Sequence, residues 1–593
     1  MKTVSRCIAL TLIACAQLPA YSALATEADD KFERLAAGYI NEFPALSPVT
    51  ATVLGDHRYD HLLDEVSRES LNQRTAFYRR YQDQLKKIRY KNLSKANQVD
   101  YELMHHDIES SLWSQEELQE WAWNPVSYSQ TAGGAIYSLL AREFAPIDER
   151  LASAASRLEA MPRFLEQVRE ILDPARVPLI NAETAARQNR GVISIMDNMI
   201  RPELENVSEA SRSRLEFVME IATAAVEEHQ QWLDEVLVPN AKGDFRIGAE
   251  LFDRKLAFAL HTLLSREQIR ERAWNEYHRV RNDMYEVSKT IYSAQYPFTE
   301  YPEAPDEAYK QAIIRAALEV VYKALPARDA IVDVVKEYLE QTTAFVREQD
   351  LVEVPDDPLE IIIMPEFQRG VAVAYCDPPG PLDKGQKTFY SVAPLPEDWS
   401  DTQVESFLRE YNLVSLQDLT IHEAMPGHYL QLALSNRYPS TLRAVLASGP
   451  FVEGWAVYAE EIMVKAGYLD NDPKLRLSNL KWYLRAITNA IMDQAIHVDG
   501  MTRDEAMQLM VEGGFQEERE AAGKWVRAQL SSTQLSTYFV GYQEHLDLRR
   551  EVESVWADDF TQRKYHDELL SYGSPPVQYV RALMLGEPIP KSR

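Results

Sequence analysis

DERLASAASRLEAMPRFLEQVREIL (residues 148–172) carries apolar side chains at Leu151, Ala155, Leu158, Met161, Phe164, Leu165, Val168 and Ile171. Steps of three and four residues are those of an amphipathic helix. The same rhythm returns over residues 211–237, 308–325, 330–346 and 475–510, while glycine is scarce, at 21 of 593 residues. Tight β-turns need more glycine than that, so the reading is a mostly α fold. No linker of low complexity and no repeat of solenoid length divides the chain. One large body is expected over residues 26–593, with an N-terminal lobe to about residue 350 and a second lobe over about 351–593.

One region breaks the helical rhythm. Leu359-Glu-Ile-Ile-Ile-Met-Pro365, Gly370-Val-Ala-Val-Ala-Tyr375 and Lys387-Thr-Phe-Tyr-Ser-Val392 are short and rich in β-branched or aromatic residues. The Pro/Gly cluster Cys376-Asp-Pro-Pro-Gly-Pro381 reads as a loop between the last two. A small sheet is predicted there.

The N-terminus stands apart from the rest. Lys2 and Arg6 precede an apolar run from Cys7 to Leu18, then Pro19 and the small-x-small pattern Ala23-Leu24-Ala25. That is the pattern of an export signal over residues 1–25, with cleavage before Thr26 and release into the periplasm or the medium. Leu12-Ile13-Ala14-Cys15 also resembles a bacterial lipobox, which would put a lipid anchor on Cys15 instead. No later run is long and apolar enough to span a membrane. The formal charge of −28 argues against nucleic acid as a partner. Only Cys376 lies beyond the signal, so the fold must rest on its core rather than on an internal disulfide.

His422-Glu-Ala-Met-Pro-Gly-His428 is the candidate chemistry. Zinc peptidases commonly carry His-Glu-x-x-His, with both imidazoles on one helix face. Here the step is six, which on an ideal helix turns the second side chain away by about 240°. Pro426 lacks an N–H and clashes with the carbonyl of His422, and Gly427 loosens the backbone beside it. A bulge absorbing two residues, in a helix opened by a Ser415–Asp418 capping box, would bring His422 and His428 back together. A catalytic zinc needs a third protein ligand. Ser448-Gly-Pro opens another helical stretch, and Glu453 on it lies 25 residues after His428. Glu453 would complete a His2Glu site for one zinc ion, leaving Glu423 as general base.

His422-Glu-Ala-Met-Pro-Gly-His428-Tyr-Leu-Gln431 and Glu453-Gly-Trp-Ala-Val-Tyr-Ala-Glu460 resemble the paired HExxPGHxxQ and EGWAxYxE signatures of a bacterial family catalogued as domain of unknown function 885. The resemblance extends to Arg369-Gly370, Asp493-Gln-Ala-Ile-His497 and Tyr538-Phe-Val-Gly541. That family looks like a distant relative of the gluzincin peptidases, among them angiotensin-converting enzyme, thimet oligopeptidase and carboxypeptidase Taq. The resemblance implies two helical lobes around a deep channel, and a sheet whose edge strand holds the substrate backbone. It also implies a late tyrosine that stabilises the oxyanion, Tyr538 first and Tyr542 second. The function expected is therefore an exported zinc hydrolase of peptide bonds, acting on short peptides. A metal-dependent hydrolase of another amide or ester, and an inactive binding protein on the same scaffold, are the alternatives. Arg369, Arg485 and Arg549 are candidates to hold a substrate carboxylate or to serve as structural ion-pair partners. Trp455 and Tyr458 read as packing, His497 as a core histidine or an oxyanion donor, and Cys376 as an unreactive thiol. Oligomeric state stays open.

Overall fold

The computed structural model describes residues 27–364, 374–396 and 399–591. The proposed signal over 1–25, Cys15 and Arg369 lie outside the described residues. Helices dominate, as the periodicity predicts. The opening stretch forms α1 (Ile147–Ile171), with Pro162 inside it. It packs on α2 (Glu209–Trp232). The chain continues through α3 (Arg266–Gln295), α4 (Glu307–Val321) and α5 (Ile331–Glu348). Buried apolar side chains gather into one cluster between Val49 and Leu237 and a larger one between Phe252 and Met584. Helices α3 to α5 thus share their core with the motif segment.

The sheet is small and its strands are β1 (Leu359–Ile363), β2 (Ala374–Asp377) and β3 (Thr388–Val392). Their order is β1-β3-β2, parallel between β1 and β3 and antiparallel between β3 and β2. Strand β2 extends through Cys376 and Asp377, which the sequence reading places in a loop. Cys376 pairs with Tyr390 and Asp377 with Phe389, so the ladder carries the strand up to the prolines. The turn beyond is pinned to the N-terminal half. Arg142 donates to the carbonyls of Lys387 (2.6 Å) and Asp377 (2.7 Å), and Leu382 N–H donates to Leu54 O (2.9 Å). His57 sits between Asp60 and Asp383, at 3.0 and 3.1 Å. Burial opposes its charge, but the two carboxylates prevail and lift its pKa to about 9.

Beyond the sheet come α6 (Leu413–Glu423), α7 (His428–Ser435), α8 (Gly449–Lys465), α9 (Pro473–Gln494), α10 (Glu518–Leu530) and α11 (Thr537–Trp556). The cap of α6 is not the Ser415 box. Asn412 caps it, its side chain accepting from the N–H groups of Val414 and Ser415. Ser415 and Asp418 are buried inside the first turns, where a capping box has no orphan N–H left to satisfy. Helices α8 and α11 make the most extensive packing in the molecule. They cross through glycine: a Cβ on Gly541 would lie 1.9 Å from Pro450 O, and one on Gly454 2.2 Å from the backbone of Gly541. That contact sets how Glu453 and Tyr538 approach each other.

Candidate metal centre

The helix that carries the first histidine stops there. α6 ends at Glu423, α7 begins at His428, and the Met425–Pro426 peptide between them is cis. A continuous bulged helix is therefore not what forms, because Pro426 cannot donate and the chain leaves helical geometry at Ala424. The two extra residues are nonetheless absorbed. Gly427 N–H donates to Ile421 O (2.9 Å) and Leu430 N–H to Ala424 O (3.3 Å), bonds that span six residues instead of four. Gly427 is obligatory, since a Cβ there would lie 1.8 Å from His422 O. Trp455 on α8, itself fully buried, ties the break down by donating to Pro426 O (2.9 Å).

His422, His428 and Glu453 converge. The two rings stand 4.7 Å apart at 88°. Glu453 Oε2 lies 3.5 Å from His428 Nε2 and 3.9 Å from His422 Nε2. All three ligand atoms fall within 4.8 Å of one another. Zinc bonds of about 2.0–2.2 Å at tetrahedral angles put ligand atoms roughly 3.3 Å apart, so this donor set fits the ion with small adjustments. Protonation favours the same conclusion for His422. Burial, followed by the neighbouring His428, lowers its pKa and keeps the imidazole neutral. For His428 burial again lowers the value, but Glu453 outweighs it and the net shift is upward. Glu453 is correspondingly lowered: His428 and His422 overcome its desolvation.

Glu460, the last residue of the second signature, has a role that spacing alone did not disclose. It accepts a 2.6 Å hydrogen bond from His422 Nδ1, and its other oxygen lies 3.5 Å from Asn479 Nδ2. A carboxylate on Nδ1 fixes the ring and turns the Nε2 lone pair toward Glu453 and the ion position. Glu453 and Glu460 are seven residues apart on one helix, hence on one face, which is the signal that could have found it. Burial raises the carboxyls of Glu460 and Asp418 well above their usual range, with Glu460 adding to the shift of Asp418.

Glu423 is held by main chain. Cys376 N–H, on β2, donates to Glu423 Oε2 at 2.8 Å. Burial raises Glu423 despite the two histidines and this bond. Burial and Glu423 together push the Cys376 thiol up, so it stays protonated and unreactive.

The two tyrosine candidates part ways. Tyr538 accepts from Arg527 (3.1 Å), and Glu453 contributes to its raised pKa after burial. Tyr542, one turn further along α11, gives its hydroxyl to Glu461 and packs against Tyr483 instead. Arg549 donates to Tyr458 (2.9 Å) and Arg485 pairs with Glu520 (2.9 Å), so both serve inside the fold. His497 Nε2 donates to Ala528 O at 2.9 Å, as a core histidine would.

The chain matches the family described as "Bacterial protein of unknown function (DUF885)" over residues 48–584. It belongs to that family. Two solved structures share the fold. A "putative lipoprotein of unknown function" from Shewanella oneidensis is 34% identical at a TM-score of 0.79, over 93% of this chain and 99% of that one. A "putative lipoprotein" from Colwellia psychrerythraea is 16% identical at a TM-score of 0.76, over 95% and 99% of the two chains. Among curated proteins none matches. No helix among the described residues is long and apolar enough to cross a membrane.

Proposed function

We propose that this DUF885 member is an exported zinc-dependent hydrolase of peptide bonds, a distant relative of the gluzincin peptidases. The observation that carries the reading is the convergence of His422, His428 and Glu453 beside a glutamate held in place by a strand N–H. Held by those three residues, zinc would supply Lewis acidity to the scissile carbonyl and to a water. Glu423 takes the proton of the attacking water on its carboxylate and delivers it to the leaving amine. Cys376 N–H keeps one oxygen of Glu423 occupied, so the other does the proton transfer. Tyr538 keeps its proton at neutral pH and donates to the carbonyl oxygen as negative charge gathers there.

A peptide substrate is favoured over a small ester by the edge strand. Alternation along β2 turns Ala374 to the same side as Cys376, whose N–H already faces the site. A strand edge of this kind recognises extended backbone. Export is supported by the N-terminal sequence and by the lipoprotein description of both solved relatives, which favours Cys15 as the anchor over release at Thr26.

Two variants test the site. Glu423→Gln should retain one zinc per chain and lose roughly 10²–10⁴-fold in peptide turnover. Glu453→Gln should lose metal as well, having lost the anionic ligand. Zinc analysis with a peptide-hydrolysis assay decides. Near-native turnover in Glu423→Gln, or zinc loss there with zinc kept in Glu453→Gln, refutes the assignment.

A further inference from the structure

Helix α10 carries two cations that no carboxylate among the described residues meets at ion-pair distance; Glu520 and Glu410 act on Lys524 only from further away. Lys524 is only 7% exposed, yet makes no hydrogen bond or ion pair with any described residue. Arg527, one turn on, is exposed, and it donates only to neutral groups, Gln534 Oε1 (2.8 Å) and Tyr538 Oη (3.1 Å). The carboxylates nearby are already engaged. Glu520 accepts from Arg485 (2.9 Å) and Tyr411 (3.2 Å), and Glu410 accepts from Lys481 (2.7 Å). Burial, then the charges of Arg485 and Arg527, push the Lys524 ammonium well below the usual lysine range. Through its bond to Tyr538, Arg527 reaches the helix that crosses α8 at Gly454, next to Glu453, so this positive charge lies on the metal-centre side of the molecule.

An isolated buried ammonium is costly and persists where something outside the fold compensates it. In a chain with a net charge of −28, the surplus is also against the general trend. The platform is firm. His497 and Ala528 tie the end of α10 to the chain that follows α9, and the Glu520–Arg485 pair ties its start to α9 itself. Lys524 and Arg527, three residues apart, share one face of that platform.

We propose that Lys524 and Arg527 form a carboxylate-binding subsite beside the metal centre, which selects peptides that present a carboxylate there. The inference rests on the peptide-hydrolase reading for the identity of the ligand. Its two possible sources are a free C-terminus and an Asp or Glu side chain. Arginine at the rim gives a planar pair of donors and the lysine below gives a point charge, a combination suited to either.

The test uses zinc-loaded full-length Glu423→Gln protein, so that binding is measured without turnover. A panel of N-acetyl tripeptides is titrated by calorimetry, each as free acid and as C-terminal amide. A second pair, all amidated, carries Glu or Gln at one position. The acid form of one pair should bind about tenfold or more tightly than its neutral twin, as expected for a hydrogen-bonded charge. The pair that discriminates identifies the source. Lys524→Gln should bring that ratio close to one, and the exposed Arg527→Gln, which leaves the buried platform intact, should reduce it. Equal binding in every pair, or a ratio that survives the double variant, overturns the subsite. Hydrolysis by the native protein separates the two ideas. Cleavage without acid preference leaves the hydrolase and removes the subsite. Absence of cleavage, with an acid preference that the variants abolish, does the reverse.

Discussion

Lys481 on α9 and Lys524 on α10 are both buried, at 3% and 7% exposure, in the same part of the molecule. Lys481 has Glu410 at 2.7 Å, and its pKa is driven up because that carboxylate overcomes desolvation. Lys524 has no such partner among the described residues, and its pKa is driven down. The two histidines of the candidate metal centre repeat the contrast. His422 has Glu460 on its Nδ1, whereas the buried Nδ1 of His428 has no hydrogen-bond partner among the described residues. Paired groups of this kind hold the fold and the first ligand in place. Unpaired ones leave a buried polar group without a partner among the described residues.

The contrast can be broken most severely at the ligands. His428→Ala should reduce zinc from one per chain to almost none, since two ligands rarely hold the ion. Elemental analysis after dialysis reads this; full occupancy would mean that other residues bind. Next comes Lys481→Met, which takes from Glu410 its hydrogen-bonded cation, leaving only Arg485 at 3.9 Å, and should cost about 3–5 kcal/mol in denaturant unfolding. Restoring most of that loss by adding Glu410→Leu would sharpen the point, since the pair matters less than its being matched. Glu460→Gln keeps the shape but weakens the hold on His422, and should lower zinc affinity about 10–100-fold in a chelator competition. The smallest effect has the opposite sign. Lys524→Met removes a buried charge that no carboxylate meets at ion-pair distance and should stabilise the protein by about 0.5–2 kcal/mol, read as a higher melting temperature. A melting temperature that falls would mean that Lys524 is partnered inside the fold.

Much of this is legible in the sequence itself. Periodicity placed helices such as Ile147–Ile171 and Ile331–Glu348 within a few residues, because amphipathic burial leaves a regular trace. It passed over Arg266–Gln295 and ran 475–510 together where the helix ends at Gln494. The pair of signatures pointed to His422, His428 and Glu453, which the fold brings together, and to Glu423 next to the first of them. What the chain hid depends on contacts between distant segments. Pro426 announced a disturbance, but whether it would kink, bulge or break the helix depended on Trp455 reaching its carbonyl from 29 residues away. Asn412 and Ser415 are both good caps, and local sequence offered no reason to prefer the one that forms. The prolines after Asp377 concealed the last two residues of β2, which are fixed by pairing with β3. Lys524 looked like any surface lysine on an amphipathic helix, and only the accounting of its neighbours sets it apart.

The bond from Cys376 to Glu423 has a consequence for how such a site is inherited. Its donor is a peptide N–H, which every amino acid but proline supplies. The side chain at position 376 can therefore change without releasing Glu423, and the requirement is set by strand register instead of by a letter. Reading aligned relatives column by column would show no guardian for Glu423. A deletion of one residue in the β2–β3 hairpin would therefore do more harm to the hold on Glu423 than most replacements at 376 itself.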